Sequence, residues 1–342
     1  MLIANYFSNT DIRLEEHPIP QISEGECLVK IHASGICGSD LMEWYRLDKV
    51  PVVLGHETSG EIVELGKGVN HLKVGDRVVA CHHVPCLECR FCNRGQETMC
   101  KTLHSTTYDP GGFSQYVRLP KINTRLGVFK IPDNITYEEA SFAEPLACVI
   151  RGQDRINLGA SDVVLVIGSG ISGILHIALA KARGAERIIA VDINKNRLPW
   201  AKKFGADIVA EDISTIADKI DQKADIIILT TGHPTAVQGS FEVAGEGATI
   251  LLFAPSDPDT TVQFDINKLF FKHDRTITTT YANSPNDLRE ALNLISEKKV
   301  NVKEMITHRI GLDEIQNGFN LVQNGTESLK VIVEPHRNKK IT

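Results

Sequence analysis

The sequence predicts an α/β protein in which a doubly wound parallel sheet is joined to a second, β-rich domain. Short strand-like runs broken by glycine fill the first half, whereas apolar strands alternate with helical stretches from about residue 160 onward. Strand–helix alternation is typical of βαβ units and a parallel sheet. The length of 342 residues also exceeds what one hydrophobic core usually supports, so two domains are expected.

The β-rich half is predicted from three strand-like runs and the turns that follow them. The runs are Glu26–Ala33, Thr58–Val63 and Asp76–Ala80, with glycine-containing turns at 64–66 and 74–76. We place this first domain at residues 1–150.

The second half is predicted to be a domain of residues 151–285, after which residues 286–342 return to the first domain. The predicted elements are the strands Val163–Ile167, Arg187–Val191, Ile226–Thr230, Ala248–Phe253 and Thr276–Thr280, and the helices Ile171–Ala182 and Asn196–Phe204. The returning segment carries a predicted helix at Asn286–Lys298 and a strand at Lys330–Glu334.

Composition and charge argue against several classes of function. The net charge is -6, and the basic run at 336–340 is short, so phosphate-backbone binding is not expected to be the main role. The first residues lack the basic and apolar regions of a signal peptide, and no apolar run approaches the ~20 residues that cross a bilayer. We therefore expect a cytoplasmic protein with a small-molecule partner and no nucleic acid or membrane.

Four of the eight cysteines form the pattern C-x2-C-x2-C-x7-C at Cys86, Cys89, Cys92 and Cys100. Four thiolates at this spacing close a tetrahedron around Zn²⁺ and leave no open position, which predicts a structural zinc. An iron–sulfur cluster and scattered core thiols remain as alternatives. Cys27, Cys81 and Cys148 are predicted to be core residues.

A second metal site is predicted from residues that are distant in the sequence. Cys37, His56 and Glu144 supply a thiolate, an imidazole and a carboxylate, which is a three-ligand zinc site with one open position. Glu57 follows His56 directly. Asp40 is expected either to accept the free N–H of His56 or to cap a short helix. Read one by one, these residues also fit purely structural roles.

His82 and His83 are predicted to line the wall of the site rather than to bind the metal. The aromatic side chains near residue 45 have two interpretations. Trp44 and Tyr45 are expected either to shape a substrate wall or to belong to an aromatic core.

A glycine-rich motif follows the strand Val163–Ile167 and opens a helix. Gly168, Gly170 and Gly173 form G-x-G-x-x-G, in which the glycines allow a tight turn, close approach of a pyrophosphate and close helix packing. The exposed N–H groups of the helix start, at Ile171 and Ser172, are expected to face the phosphates.

Asp192 ends the next predicted strand and favours NAD over NADP. A carboxylate at this place bonds both ribose hydroxyls and repels a 2′-phosphate. Arg197 is expected either to stack beside the adenine or to reach a phosphate. The alternative for Asp192 is an N-cap of the following helix.

These residues resemble the medium-chain zinc alcohol dehydrogenase family, and most closely its sorbitol (polyol) and threonine dehydrogenase branch. The resemblance covers nearly the whole chain through Gly35–Asp40, Gly55–Glu57, Gly75–Val78, the four-cysteine loop, Glu144–Leu146 and Asp192–Arg197. It implies a GroES-like catalytic domain, a Rossmann domain and an active site in the cleft between them. It also implies a structural zinc in the cysteine loop and a homo-dimer or homo-tetramer, with sheet-edge pairing around 276–282.

The resemblance further implies the roles of the site residues. Cys37, His56 and Glu144 are implied to ligate a catalytic zinc, Glu57 to replace water as a ligand at some stage, and Ser39 to pass the alcohol proton towards the cofactor ribose. Met42 departs from the family pattern, because the related members commonly carry histidine there.

The sequence thus predicts an enzyme with two Zn²⁺ per chain that transfers hydride from a polyol-like secondary alcohol to NAD⁺ and yields a ketone. The same chemistry on threonine-like or simple alcohols and aldehydes is the first alternative. A zinc-containing nucleotide-binding protein without turnover is the second, and a zinc hydrolase that uses NAD structurally is the third.

Overall fold

The computed structural model describes residues 1–216 and 222–337, and the chain divides into two compact units. One unit joins Met1–Ala147 to Asn283–Thr342, and the other is Cys148–Ala282. The division inferred from the sequence, at 150 and 285, lies a few residues away.

The unit Cys148–Ala282 contains a six-stranded parallel sheet. Its strands are Val163–Ile167, Arg187–Val191, Ile208–Ala210, Ala224–Leu229, Ala244–Leu252 and Thr276–Thr279. Numbered along this unit, they lie in the order 3-2-1-4-5-6, and every pair is parallel. This is the doubly wound order of dinucleotide-binding sheets, in which the carboxyl end of the first strand lies where the strand order reverses.

The central strand of this sheet shows why the sequence folds this way. All residues of Val163–Ile167 are buried, since strands pair with it on both edges and helices cover a parallel sheet. The helices that the structure assigns wholly to this unit are Ile171–Ala182, Leu198–Phe204, Pro234–Val243 and Asn267–Phe270. The second helix begins two residues later than the sequence predicts, because Pro199 starts its first turn and the preceding residues form a polar turn.

The other unit is built on antiparallel sheets. A three-stranded sheet contains Leu2–Ser8, Asp11–Glu16 and Val52–Val53. A seven-stranded, mostly antiparallel sheet contains Cys27–Gly35, Glu57–Leu65, Arg77–Ala80, Tyr116–Leu119, Val128–Lys130, Ile306–Ile310 and Lys330–Val333. The helices of this unit are Glu43–Arg46, Lys101–Ser105, Lys121–Leu126, Tyr137–Ser141, Pro285–Ser296 and Ile315–Asn324, and the helix Ala143–Arg155 contains the boundary with the other unit.

The pairing of three strands in the seven-stranded sheet determines where the candidate site lies. Cys27–Gly35 pairs antiparallel with Glu57–Leu65, and Gly35 stands opposite Glu57. The strand Lys330–Val333 pairs with the other edge of Cys27–Gly35, and Ile332 stands opposite Gly35. The end of one strand, the start of another and a segment from the far end of the chain therefore meet at one place.

No helix in the described residues is long and apolar enough to cross a membrane.

A buried histidine lies inside the parallel-sheet unit. His176, on the helix Ile171–Ala182, is 0% exposed, and the edge of its ring meets Phe253 at 4.5 Å between centroids. Burial lowers the pKa of His176 from 6.5 to about 3, because the charged imidazolium would lose its hydration. The folded unit therefore holds this residue neutral over the whole physiological range.

We expect the titration of His176 alone to lower the free energy of unfolding by about 2 kcal/mol as the pH falls from 7 to 5. The unfolded chain binds a proton near the usual pKa of 6.5, whereas the folded unit does so only near 3. The stability is therefore present above 6.5 and is lost as the pH falls. Urea unfolding, followed by Trp200 fluorescence in a Trp44→Phe background, measures this slope. His176→Leu should flatten it and the exposed His233→Leu should not; equal slopes in all three proteins would contradict the assignment.

Candidate metal sites and nucleotide-binding loop

The four-cysteine loop brings its sulfurs together at metal-binding distances. The Sγ atoms of Cys86, Cys89, Cys92 and Cys100 all lie within 4.8 Å of one another. Cys89–Cys92 and Cys100–Cys86 are 3.6 Å apart, and Cys86–Cys92 is 4.0 Å. Sulfurs at tetrahedral angles and ~2.3 Å from a zinc ion are about 3.8 Å apart, so the loop fits this ion.

Backbone N–H groups point at two of these sulfurs, which favours their thiolate form. Cys89 N donates to Cys86 Sγ at 3.3 Å, and Cys86 N donates to Cys100 Sγ at 3.4 Å. Burial raises the pKa of the Cys100 thiol, but the backbone N–H groups, first that of Cys86, outweigh burial and lower it to about 6. Thiolates are the form that binds metal.

A second cluster is created by the strand register described above. Cys37 follows the strand Cys27–Gly35, and His56 precedes the strand Glu57–Leu65. Because Gly35 faces Glu57, the ligand atoms of Cys37, His56 and Glu57 all lie within 4.8 Å of one another. One sulfur, one ring nitrogen and one carboxylate oxygen are a donor set that zinc accepts in catalytic sites.

Asp40 supports this cluster from the short 3-10 helix Gly38–Leu41. Its Oδ1 lies 3.4 Å from His56 Nδ1, and its Oδ2 accepts the N–H of Cys37 at 3.0 Å. Burial alone would raise the pKa of Asp40, but the charge of His56, then its hydrogen bond and the charge of Arg46, lower it. Asp40 thus lies beside His56, as one of the two expectations for this residue requires, where a carboxylate orients an imidazole through one ring nitrogen. Asp40 occupies the third position of its helix and is not the N-cap.

Glu57 is held by a lysine from the far end of the chain. Lys330 Nζ forms an ion pair with Glu57 Oε2 and donates to the carbonyl of Ile36 at 3.0 Å. Both charged side chains are 1% exposed. A Cβ on residue 35 would collide with this carboxylate, so Gly35 is required for the close approach. A buried charge needs a partner of this kind, since desolvation costs several kcal/mol per ion.

Glu144 does not join the cluster of ligand atoms that lie within 4.8 Å of one another in the described chain. It lies in the first turn of the helix Ala143–Arg155, is 7% exposed, and accepts a hydrogen bond from Asn283 Nδ2 at 2.8 Å. In the described chain the carboxylate within this distance of Cys37 and His56 is that of Glu57.

Ser39 lies beside the cluster and is held by an arginine. Its Oγ donates to Cys37 Sγ at 3.4 Å. Arg46 Nε donates to the carbonyl of Ser39 at 3.1 Å, and Arg46 Nη2 donates to Ser39 Oγ at 3.4 Å. Trp44 and Tyr45, on the same helix as Arg46, are 46% and 36% exposed, so the interpretation as an aromatic core is wrong in this unit.

The other predicted side chains lie around these sites or in the core. The ring of His82 is 5.0 Å from that of His56, which places His82 beside the cluster, and the ring of His83 is 3.8 Å from that of His82. Burial lowers the pKa of His83 to about 4, so it is neutral. Cys27 and Cys81 are buried as predicted, but Cys148, on the helix Ala143–Arg155, is only partly buried.

The glycine-rich loop has the geometry of a phosphate-binding turn. Gly168 has φ +98°, and its carbonyl and that of Ile167 accept Thr230 Oγ1–H at 2.9 and 3.1 Å. A Cβ on Gly173 would collide with the carbonyl of Gly168, so only glycine lets the helix start this close to the strand. The free N–H groups at the start of Ile171–Ala182 then attract an anion.

Asp192 lies directly beside this loop. Its Oδ2 accepts the N–H of Ser169 at 2.6 Å, and its Oδ1 accepts the N–H of Asn194 at 2.8 Å. Arg197 Nη1 is 3.7 Å from Asp192 Oδ2 and the same distance from where a Cβ on Gly170 would stand. Asp192 does not cap the next helix, whose N-cap is Arg197.

Comparison with known proteins agrees with this arrangement. Residues 23–133 match the family model "Alcohol dehydrogenase GroES-like domain", and residues 172–297 match "Zinc-binding dehydrogenase". Sorbitol dehydrogenase of Ovis aries is 33% identical to the chain, and the match covers 95% of this chain and 93% of the relative. The chain belongs to the medium-chain zinc-dependent alcohol dehydrogenase family. The family and the fold predicted from the sequence are therefore confirmed.

Solved structures of family members superpose along nearly the whole chain. 2R,3R-butanediol dehydrogenase of Bacillus subtilis has a TM-score of 0.85 at 28% identity and covers 98% of this chain and 99% of its own. An alcohol dehydrogenase of E. coli, complexed with NADH, has a TM-score of 0.86 at 26% identity and covers 97% and 99%. The chain described here is therefore a zinc-dependent oxidoreductase of alcohols that is linked to NAD(P).

Sequence reasoning missed three side chains that hold these sites. Lys330, Arg46 and Thr230 contact Glu57, Ser39 and Gly168 as described above. Lys330 did carry a signal, because it stands at the start of a short apolar strand where a lysine is unusual. Arg46 and Thr230 sit in ordinary local sequences and gave none.

We expect Glu57→Gln to lower the affinity of the second cluster for zinc by at least about tenfold, because an amide is a weaker ligand than a carboxylate. Glu144→Gln, the same exchange nearby, should lower it less. Zinc retained after dialysis against a competing chelator, measured by mass spectrometry, reports the difference. A larger loss in Glu144→Gln than in Glu57→Gln would return the ligand role to Glu144.

Proposed function

We propose that the protein oxidises a polyol-like secondary alcohol to a ketone with NAD⁺, at the cluster of Cys37, His56 and Glu57. The convergence of these three ligand atoms within 4.8 Å is the observation that supports the proposal most directly. The hydroxyl of Ser39 beside the thiol of Cys37 adds a group that conducts a proton.

Each residue has a distinct role in the proposed reaction. Cys37, His56 and Glu57 would hold the zinc, with Glu144 as a further candidate ligand, and Asp40 orients the ring of His56. Zinc would supply a Lewis acid that favours loss of the alcohol proton, and NAD⁺ would supply the acceptor of the hydride. The hydroxyl of Ser39 is placed to lead the alcohol proton away. The ketone and NADH are the products.

A second metal ion and the nucleotide complete the proposal. The cysteine loop holds a second, structural zinc, which makes two ions per chain. The unit Met1–Ala147 with Asn283–Thr342 is the catalytic domain, and Cys148–Ala282 binds the nucleotide. Asp192 favours NAD because a 2′-phosphate would meet its carboxylate. None of the eight cysteines forms a disulfide bond, which is consistent with a cytoplasmic, reducing compartment.

The proposed substrate is a polyol-like secondary alcohol, and the alternative is a threonine-like or simple alcohol or aldehyde. Relatives named sorbitol dehydrogenase and D-xylulose reductase favour a polyol. 2R,3R-butanediol dehydrogenase favours at least a secondary alcohol.

We expect Cys37→Ser to lower kcat by about 1000-fold or more while NADH still binds, since zinc polarisation contributes several kcal/mol to the transition state. Cys89→Ser should lose thermal stability before turnover, and the partly buried Cys148→Ser serves as the control. NADH absorbance over a panel of polyols, threonine and simple alcohols, with NAD⁺ and NADP⁺ in parallel, measures activity. Full activity of Cys37→Ser would refute the catalytic-zinc assignment, and absence of turnover on every alcohol would favour a non-catalytic protein.

We also propose that two copies of the chain associate through the edge of the parallel sheet. Thr276–Thr279 is the last strand of that sheet, and its residues are exposed or half-exposed in the single chain. Phe270, Phe271 and Tyr281 are 59%, 60% and 44% exposed nearby in the sequence. An uncovered edge of this kind pairs readily with a second strand.

We expect Thr279→Arg to shift the protein towards the monomer, because a charged side chain on an edge strand opposes strand pairing. Thr261→Arg places the same charge on another exposed threonine of the unit and is the control. Light scattering after size-exclusion chromatography gives the mass. The same oligomer in both variants would place the interface elsewhere.

A further inference from the structure

Arg46 is a buried cation that the proposed reaction does not use. Its side chain is 14% exposed, and it lies on the helix Glu43–Arg46, which follows the turn that carries Cys37 and Ser39. A mostly buried arginine is uncommon unless its donors are engaged. Because Arg46 lies beside the hydroxyl of Ser39, we looked for a role of its guanidinium in substrate binding.

The hydrogen bonds of Arg46 use only part of its guanidinium. Nε donates to the carbonyl of Ser39 at 3.1 Å, and Nη2 donates to Ser39 Oγ at 3.4 Å. Asp40 Oδ1 lies 3.6 Å from Nη2, so Asp40 partly balances the charge but accepts no hydrogen bond. Within the described ranges, Nη1 has no hydrogen-bond partner in the protein, although an arginine carries two protons on that atom.

The distances place the free end of the guanidinium within reach of a bound substrate. Arg46 Nη2 is one hydrogen bond from Ser39 Oγ, which is itself 3.4 Å from Cys37 Sγ. Groups on the carbons next to a hydroxyl bound at this cluster would then lie within a few ångströms of a planar cation with unused donors.

The neighbouring aromatic ring keeps this cation in place. The guanidinium of Arg46 lies 4.6 Å from the centroid of the Tyr45 ring, and Lys49 Nζ lies 4.2 Å from the same centroid. Stacking on an aromatic ring and two hydrogen bonds to Ser39 fix the orientation of the fork before any ligand arrives. A preorganised guanidinium recognises a carboxylate or phosphate through two parallel N–H···O bonds.

We infer that Arg46 is a specificity-determining residue that binds an anionic group, a carboxylate or a phosphate, on the alcohol substrate. The preferred substrates are then hydroxy acids or phosphorylated polyols rather than neutral polyols. This inference rests on the proposed function, because it names the substrate class of the same site.

The test compares three substrates of equal chain length: a neutral hexitol, the corresponding hexonate and the hexitol phosphate. For the wild-type holoenzyme with NAD⁺, we expect kcat/KM for one of the anionic substrates to exceed that for the hexitol by at least about tenfold. The hexonate and the phosphate arms decide which anion the site takes. Raised ionic strength should reduce this preference, since charge contributes to it.

Arg46→Met should lower the ratio of anionic to neutral kcat/KM by about 10- to 100-fold, mainly through KM for the anionic substrate. Arg46→Lys keeps the charge but not the fork and should retain part of the ratio. Lys49→Met removes a cation that stacks on the same ring without contacting Ser39, and it should leave the ratio within about twofold.

Three outcomes overturn the inference while the proposed function stands. They are a wild-type preference for the neutral hexitol, an equal loss on all three substrates in Arg46→Met, and an equal change of the ratio in Lys49→Met. An equal loss would show that Arg46 acts only through Ser39. If no alcohol of any class is oxidised, the proposed function fails instead, so the two failures are distinguishable.

Discussion

The antiparallel register between Cys27–Gly35 and Glu57–Leu65 is the constraint on which the candidate site depends. Because Gly35 stands opposite Glu57, residues just past the end of one strand meet residues at the start of the other. The ladder of backbone hydrogen bonds fixes this match, and a slip by one residue would turn Glu57 to the opposite face of the sheet. The position of the metal ligands is thus a property of the sheet.

Burying these carboxylates costs free energy, and the protein offsets this cost by pairing each carboxylate with a cation. Glu57 and Asp40 are almost fully buried, and each faces a cation: Lys330 from the far end of the chain for Glu57, and Arg46 from the adjoining helix for Asp40. Such pairs add little net stability over apolar residues of similar size. Their value lies in position, because a carboxylate with a fixed partner holds its oxygens in one place before a metal ion binds. In the proposed site, Lys330 would compete with the metal ion for Glu57 and so make this carboxylate an adjustable ligand.

The sequence alone predicted those parts of the fold that depend on residues lying close together in the chain. The strand Val163–Ile167 and the helix Ile171–Ala182 were placed to the residue, because an unbroken apolar run and a helical repeat meet at the glycine motif. The cysteine loop was likewise apparent from the spacing of its four cysteines. The choice between Glu57 and Glu144 was not, since only the strand register brings Glu57 together with Cys37 and His56. Lys330 lies 273 positions beyond its partner Glu57, a separation that no periodicity reports.

The two candidate metal sites therefore differ in what they require of the fold. The cysteine loop takes its four ligands from fifteen consecutive residues, and the N–H groups of the same loop hold two of its sulfurs. Its geometry needs little beyond the loop itself, and metal binding supplies the ordering energy. The second cluster needs two paired strands, a returning C-terminal strand and a short helix before any ligand is in place. A site assembled from distant segments is rigid only when the whole sheet is formed. A reaction needs this rigidity to hold the reacting hydroxyl at a fixed distance from the ligand side chains.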